Sequence, residues 1–453
     1  MSNNWRKRFA AKAGLDKPVF YSIAGRFWSL VAGPVTVILI GTHFSPELQG
    51  YHYAFASLLS LQAFAELGLG TVIIQFASHE WARLALVGGR ITGDADALSR
   101  LRSVARFGAR WYLVAASFLT VLLAVGGTVF FSRKDAHGIE WLAPWLALCL
   151  LTGANLFMLL LWSLLEGCNQ VARVYLFRLV VVVSNSVSVW LAILGGLQLW
   201  TAAVWNAVSL VCTLILFIGG YRHLFASLFF GKVASAKISW RADMLPLQWR
   251  IAVSWLGAYC MNSLFTPVLF QYHGPVVAGQ MGMTWSLVAA VAAIATAWPN
   301  TKIAPFGVLV AQKKRKELDR EFIKTLKISV SVAILGALSG WLLVLGLGLA
   351  GTNFAARLLP PLPTGLFLAA TVLLVAQVTF QIYLRAHKKD PTMWVSALGA
   401  AVVVLSNFTL GKWFSVTAMA AGYLAANAVL LPVTAAIWLK YRRDCSLQQL
   451  SNL

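Results

Sequence analysis

Four ionisable side chains, Arg26, Arg178, Arg250 and Glu66, stand inside or at the edge of long apolar stretches. A charge at such a position is costly and is retained for function by default. A planar guanidinium receives an anionic group through paired, charge-assisted hydrogen bonds. The three arginines fall at or just inside one end of their apolar stretches, and the competing account is snorkelling to lipid headgroups. That account weighs least for Arg178, which lies deepest. Glu66 is the acidic residue well inside an apolar stretch, so it either binds a coupling proton or pairs with an arginine. His52, Gln75 and Asn262 add uncharged polar groups able to hydrogen-bond hydroxyls, as do Gln62, Asn155, Asn185, Gln271, Gln377 and Gln381. Polar contacts between helices account for any one of these more simply.

Other chemistries are set aside on context. Gly346-Leu347-Gly348-Leu349-Ala350-Gly351 matches the dinucleotide-binding glycine pattern, but that pattern needs a preceding strand and a following helix. This one ends an apolar span, where close helix packing explains it. Asp94-Ala95-Asp96 has the spacing of a metal-binding DxD, in a loop too short for a nucleotide-sugar domain. His79-Glu80 lacks the second histidine of a zinc protease helix, and neither a nucleophile elbow nor a phosphate-binding loop occurs. Cys149, Cys212 and Cys260 lie in apolar segments, with Cys168 and Cys445 in polar ones. They give neither a disulfide framework nor metal-ligand spacing. No enzyme, cofactor or metal is expected.

The elements that must position these residues are transmembrane helices. The chain has 453 residues, 59% hydrophobic and 11% charged, with a mean hydropathy of +0.74. Spanning hydrocarbon takes about 20 mostly apolar residues per helix. Runs of that length predict helices near 20–40, 51–77, 111–131, 141–165, 174–194 and 200–219. A second set follows near 251–272, 276–298, 328–350, 364–384, 393–410 and 414–439. The fold class is therefore an all-α membrane protein of about twelve transmembrane helices. The run from Phe20 to Ile40 is too long for a cleavable signal core and is read as a retained first helix.

With the N-terminus inside, every lysine and arginine except Arg133, Lys134, Arg357 and Lys412 falls in the inner segments or at adjoining helix ends. This positive-inside asymmetry sets both termini in the cytoplasm. The net charge of +22 then reflects topology and anionic membrane lipids, with nucleic acid excluded as a partner because the basic residues are spread over all inner loops. Leu318, Phe322, Ile323 and Leu326, at helical spacing among charges between Val310 and Lys327, predict an amphipathic helix on the inner membrane surface.

An internal repeat organises the spans. Ser45-Pro46-Glu47-Leu48-Gln49-Gly50, leading to Ser57-Leu58, overlays Gly274-Pro275-Val276-Val277-Ala278-Gly279, leading to Ser286-Leu287, at one constant offset near half the chain length. The expected organisation is a basic N-terminus (1–19), a first six-helix half (20–219), a cytoplasmic linker (220–250), a second half (251–439) and a tail (440–453). Six helices per half return the chain to the same side. The halves are then parallel repeats around a central cavity, with the substrate site between them at mid-membrane.

Phe44-Ser45-Pro46-Glu47-Leu48-Gln49-Gly50-Tyr51, followed by Glu66-Leu67-Gly68-Leu69, resembles the start of the bacterial polysaccharide-biosynthesis flippases of the multidrug/oligosaccharidyl-lipid/polysaccharide (MOP) superfamily. These are exporters of O-antigen and exopolysaccharide units. The resemblance covers the twelve-helix layout, with residue-level motifs in the first two helices and their echo at Pro275 and Gly279. It implies a carrier in the bacterial inner membrane that moves an undecaprenyl-pyrophosphate-linked oligosaccharide from the inner to the outer leaflet by alternating access. A coupling proton or sodium ion and polysaccharide-assembly proteins are the partners implied. On this reading Arg26, Arg178 and Arg250 receive the pyrophosphate or an acidic sugar. Glu66 binds the coupling ion, while His52, Gln75 and Asn262 line the pathway. The alternative is a drug or cation exporter of the same superfamily, or another twelve-helix secondary transporter.

Overall fold

The computed structural model describes residues 17–134, 138–231, 239–312, 314–387 and 391–450. The chain forms two compact units, Met1–Phe44 with Leu58–Leu256, and Ser45–Ser57 with Gly257–Leu453. In chain order the helices are α1 (Lys17–His43), α2 (Pro46–Leu59), α3 (Gln62–Glu66), α4 (Leu69–Trp81), α5 (Ala95–Ser132), α6 (Leu142–Gly167), α7 (Val171–Leu194) and α8 (Trp200–Phe230). After a π turn at Trp240–Met244 come α9 (Leu245–Asn262), α10 (Phe265–His273), α11 (Pro275–Thr301), α12 (Ile303–Ala311), α13 (Arg315–Leu349), α14 (Pro361–Ala386), α15 (Met393–Trp413) and α16 (Val416–Leu450).

Among the described residues, ten helices are long and apolar enough to cross a membrane, α11 and α12 counting as one. The bent run α2–α3–α4 makes an eleventh. The second and seventh spans are not the continuous helices expected at 51–77 and 251–272. Leu67 (φ +48°) and Gly68 (φ +69°) take the left-handed conformation and turn α4 by 43° from the segment before it. The seventh span is divided between α9 and α10 at Ser263 and Leu264. The carbonyl freed at that break is not left bare in hydrocarbon, where an unsatisfied backbone group is costly. Ser263 O accepts a hydrogen bond of 2.5 Å from Ser57 Oγ.

The two units use one order of helix pairing. In the first, α1 packs on α7, α7 on α8, α8 on α6, α6 on α4 and α5, and α4 on α5. In the second, α10 packs on α15, α15 on α16, α16 on α14, α14 on α11 and α13, and α11 on α13. The correspondence reaches individual hydrogen bonds. Asn155 Nδ2 in α6 donates to Asn206 O in α8 at 2.9 Å, and Asn206 Nδ2 donates to Ala202 O at 3.2 Å. Gln377 Nε2 in α14 donates to Asn427 O in α16 at 3.1 Å, and Asn427 Nδ2 donates to Tyr423 O at 2.9 Å. The interhelical partners are 51 residues apart in one unit and 50 in the other. Asn155 and Gln377 thus serve as polar links between helices.

The repeated Pro-Gly segments pack directly on one another inside the second unit. A Cβ on Gly50 of α2 would lie 2.0 Å from Pro275 O, and one on Gly279 of α11 would lie 2.9 Å from Gly50 N. Only the missing side chains allow the two helix backbones to touch. Gln49, 1% exposed, locks the crossing by donating to Gly279 O at 2.8 Å and to Arg357 O at 3.0 Å. The ring of Tyr51 meets that of Phe270 edge-on at 5.0 Å.

Helices run past their expected membrane limits. The stretch 310–327 is not a helix lying on the membrane surface. From Arg315 onward it forms the first turns of α13, continuous to Leu349. Leu318 and Phe322 are buried against Phe306, Tyr383 and Trp438 rather than turned to lipid. In the first unit α5 likewise starts at Ala95, well before the span expected at 111–131. A two-stranded hairpin, β1 (Leu84–Val87) with β2 (Arg90–Gly93), precedes it and is closed at Gly88-Gly89. Asp94 caps α5 by accepting from the N–H groups of Asp96 (2.8 Å) and Ala97 (3.4 Å). The Asp96 N–H, with smaller help from that of Ala97 and from Arg83 and Arg100, holds its carboxyl below the usual range. The DxD spacing is a helix start.

Candidate functional site

The turn at Leu67 and Gly68 sets Glu66 at the end of α3, half-buried, beside the start of α4. Around Gly70 three oxygens converge. A Cβ built there would lie 2.9 Å from Glu66 Oε1, 3.0 Å from Ser163 Oγ of α6 and 3.3 Å from the Tyr112 hydroxyl of α5. Tyr112 is fully buried, while the Ser163 hydroxyl donates to Leu159 O at 2.9 Å. No ion pair joins Glu66 to an arginine among the described residues. A carboxyl, a phenol and a serine oxygen in an apolar bundle form a small polar site able to hold a proton or a desolvated cation.

Arg178 has an acidic partner that the sequence reading did not name. Its Nη2 lies 2.9 Å from Glu166 Oε2, one helix back across the short α6–α7 turn. Its guanidinium also sits 5.4 Å from the Tyr175 ring and 5.9 Å from that of Trp162. Glu166 is the penultimate residue of α6, and the shortness of that turn was the available signal for the pair. Arg26 is exposed on α1, with neither hydrogen bond nor ion pair among the described residues. The side chain of Arg250 lies outside the described residues. Gln75 is exposed on α4, and Asn262 is exposed at the last residue of α9, beside the break. His52 belongs to α2 in the second unit, where its ring meets Tyr53 edge-on at 5.4 Å. The structure thus brings Glu66 to Tyr112 and Ser163, and Arg178 to Glu166. These partners come from other spans, and no residue spacing along the chain announces Tyr112 or Ser163.

The sequence matches no protein-family model and no curated protein. Solved structures do match the fold. The lipid II flippase MurJ, in an inward closed conformation, superposes with a TM-score of 0.64 at 13% identity, covering 94% of this chain and 87% of that one. The multidrug transporter DinF-BH, in complex with R6G, gives 0.57 at 15% identity over 93% and 94%. An inward-facing multidrug resistance transporter of the MOP superfamily gives 0.51 at 13% identity over 90% and 99%. At such identities the likeness speaks for architecture. This chain is a multi-pass membrane protein that shares the fold of these transporters.

Proposed function

We propose that this protein is a flippase of the bacterial inner membrane, moving a polyprenyl-pyrophosphate-linked oligosaccharide to the outer leaflet by alternating access. The observation that carries the reading is the likeness to a lipid II flippase over 94% of the chain. The ionisable residues of the apolar stretches support it: Glu66 stands against Arg26, Arg178 and Arg250, which suits an anionic cargo better than a cationic drug. A glycan with its pyrophosphate cannot cross hydrocarbon unaided and needs a polar, cationic passage. Arg26, Arg178 and Arg250 are the groups assigned to the pyrophosphate, with His52, Gln75 and Asn262 along the pathway. Glu66, with Tyr112 and Ser163, is assigned to the coupling proton or sodium ion.

The test is a deletion strain, in which surface polysaccharide and the leaflet distribution of lipid-linked intermediates are measured together. Complete units are expected to accumulate on the inner face. A Glu66→Gln variant, inserted normally, is expected to restore less than about a tenth of the wild-type display, as a charge kept at membrane depth for function requires. Normal display and unchanged intermediates in the deletion strain would overturn the flippase reading. The drug-exporter reading, which the DinF-BH likeness supports, would then take its place.

A further inference from the structure

A second feature of the first unit lies apart from Glu66. Between α5, α6 and α8 is a cavity of about 530 Å³. Its apolar wall is built from Phe157, Leu161, Leu214, Phe217 and Phe225, and three arginines, Arg106, Arg110 and Arg222, stand on it. Apart from those three, every lining side chain is apolar, so beyond the guanidinium N–H groups the cavity offers no side-chain donor or acceptor to a sugar.

The arginines differ in what they already do. Arg102 and Arg106 close the C-terminal end of α8: Arg102 Nε donates to Ser227 O at 3.0 Å and Arg106 Nε to Phe229 O at 3.1 Å. Cations are favourable at that end of a helix dipole. Arg110, one turn further along α5, is exposed and has no partner among the described residues. Arg222 is also exposed, and donates through Nε to His223 Nε2 at 3.2 Å. None of the three arginines has an acidic partner among the described residues. Each guanidinium carries five N–H donors and no acceptor. Like charges gathered on an apolar cavity repel one another until an anion joins them.

We propose that this cavity binds an anionic phospholipid, with its phosphate held by Arg106, Arg110 and Arg222 and an acyl chain laid over the phenylalanines. Basic pockets between transmembrane helices hold anionic headgroups in this way. Arginines that merely snorkel need no cavity beneath them. The absence of polar side chains on the wall favours a phospholipid over a glycan-bearing lipid. The inference stands independently of the flippase assignment.

The test uses the purified full-length protein and native mass spectrometry, with phosphatidylglycerol and phosphatidylcholine of matched chains. Wild type is expected to retain phosphatidylglycerol about tenfold more strongly, at roughly a tenfold gain or less per engaged cation. The double variant R110Q/R222Q, altered at two exposed side chains, is expected to lose that preference, and L214W to lower retention by filling the cavity. Equal retention of the two lipids, or an unchanged preference in R110Q/R222Q, overturns the proposal. Displacement by glycerol 3-phosphate alone would make this a bare anion site, and stronger retention of an isoprenyl pyrophosphate would make it a cargo site. Either result also overturns it.

Discussion

A methyl group added to Gly50 would fall on the backbone carbonyl of Pro275, an atom that cannot rotate away. Gly50→Ala is therefore expected to force α2 and α11 apart, at a cost of about 1–3 kcal/mol or more from overpacking. Gly33 in α1, where an added Cβ meets nothing within 4 Å, supplies the control, and Gly33→Ala is expected to stay within about 0.5 kcal/mol. Thermal unfolding of both variants in detergent checks the pair, and equal melting temperatures would contradict the close crossing. Glu66 illustrates a second kind of residue effect. Its candidacy was legible from charge and depth alone, whereas its neighbours were not. Tyr112 and Ser163 are ordinary residues of the third and fourth spans, and nothing in their local sequence relates them to position 66. Similarly, Arg178 stood out as a deep cation, but its ion pair with Glu166 appears only once α6 and α7 are folded into a hairpin.

At the scale of elements, the amide links between the fourth and sixth spans of each half are equivalent contacts made by different side chains. Asn155→Ala and Gln377→Ala are each expected to cost about 0.6 kcal/mol, and at most about 2, the measured range for interhelical hydrogen bonds in membranes. Unfolding titrations of the two variants check this, and a large loss in one with none in the other would deny the equivalence. Apolar runs place nearly every span correctly, because the length of hydrocarbon to be crossed is a strong constraint. Breaks within spans are harder to foresee. Leu67 adopts a left-handed conformation that its type disfavours, and Ser263-Leu264 contains neither glycine nor proline. The hairpin at Gly88-Gly89 carried a recognisable turn signal, masked by the assumption that a basic inner segment is only a loop. The amphipathic pattern at 315–327 reports a real apolar face. Leu318, Phe322 and Leu326 of that face pack against α12, α14 and α16 of the same unit, and Ile323 stays exposed.

At the scale of the whole molecule, the distribution of lysine and arginine makes a claim about orientation. Single cysteines placed at Lys134 and Lys412 are expected to react with an impermeant reagent added to spheroplasts, and one at Lys316 only after the membrane is opened. The reverse pattern would invert the topology. The division into units has a further consequence, for synthesis. Ser45–Ser57 is made early, yet it forms one compact unit with Gly257–Leu453. A ribosome that has delivered the first six spans has therefore released a segment whose Gly50 and Tyr51 still await α10 and α11. The second unit begins assembling around a piece that has been waiting in the bilayer since the start of translation, so insertion in chain order and folding in chain order are two different processes for this protein.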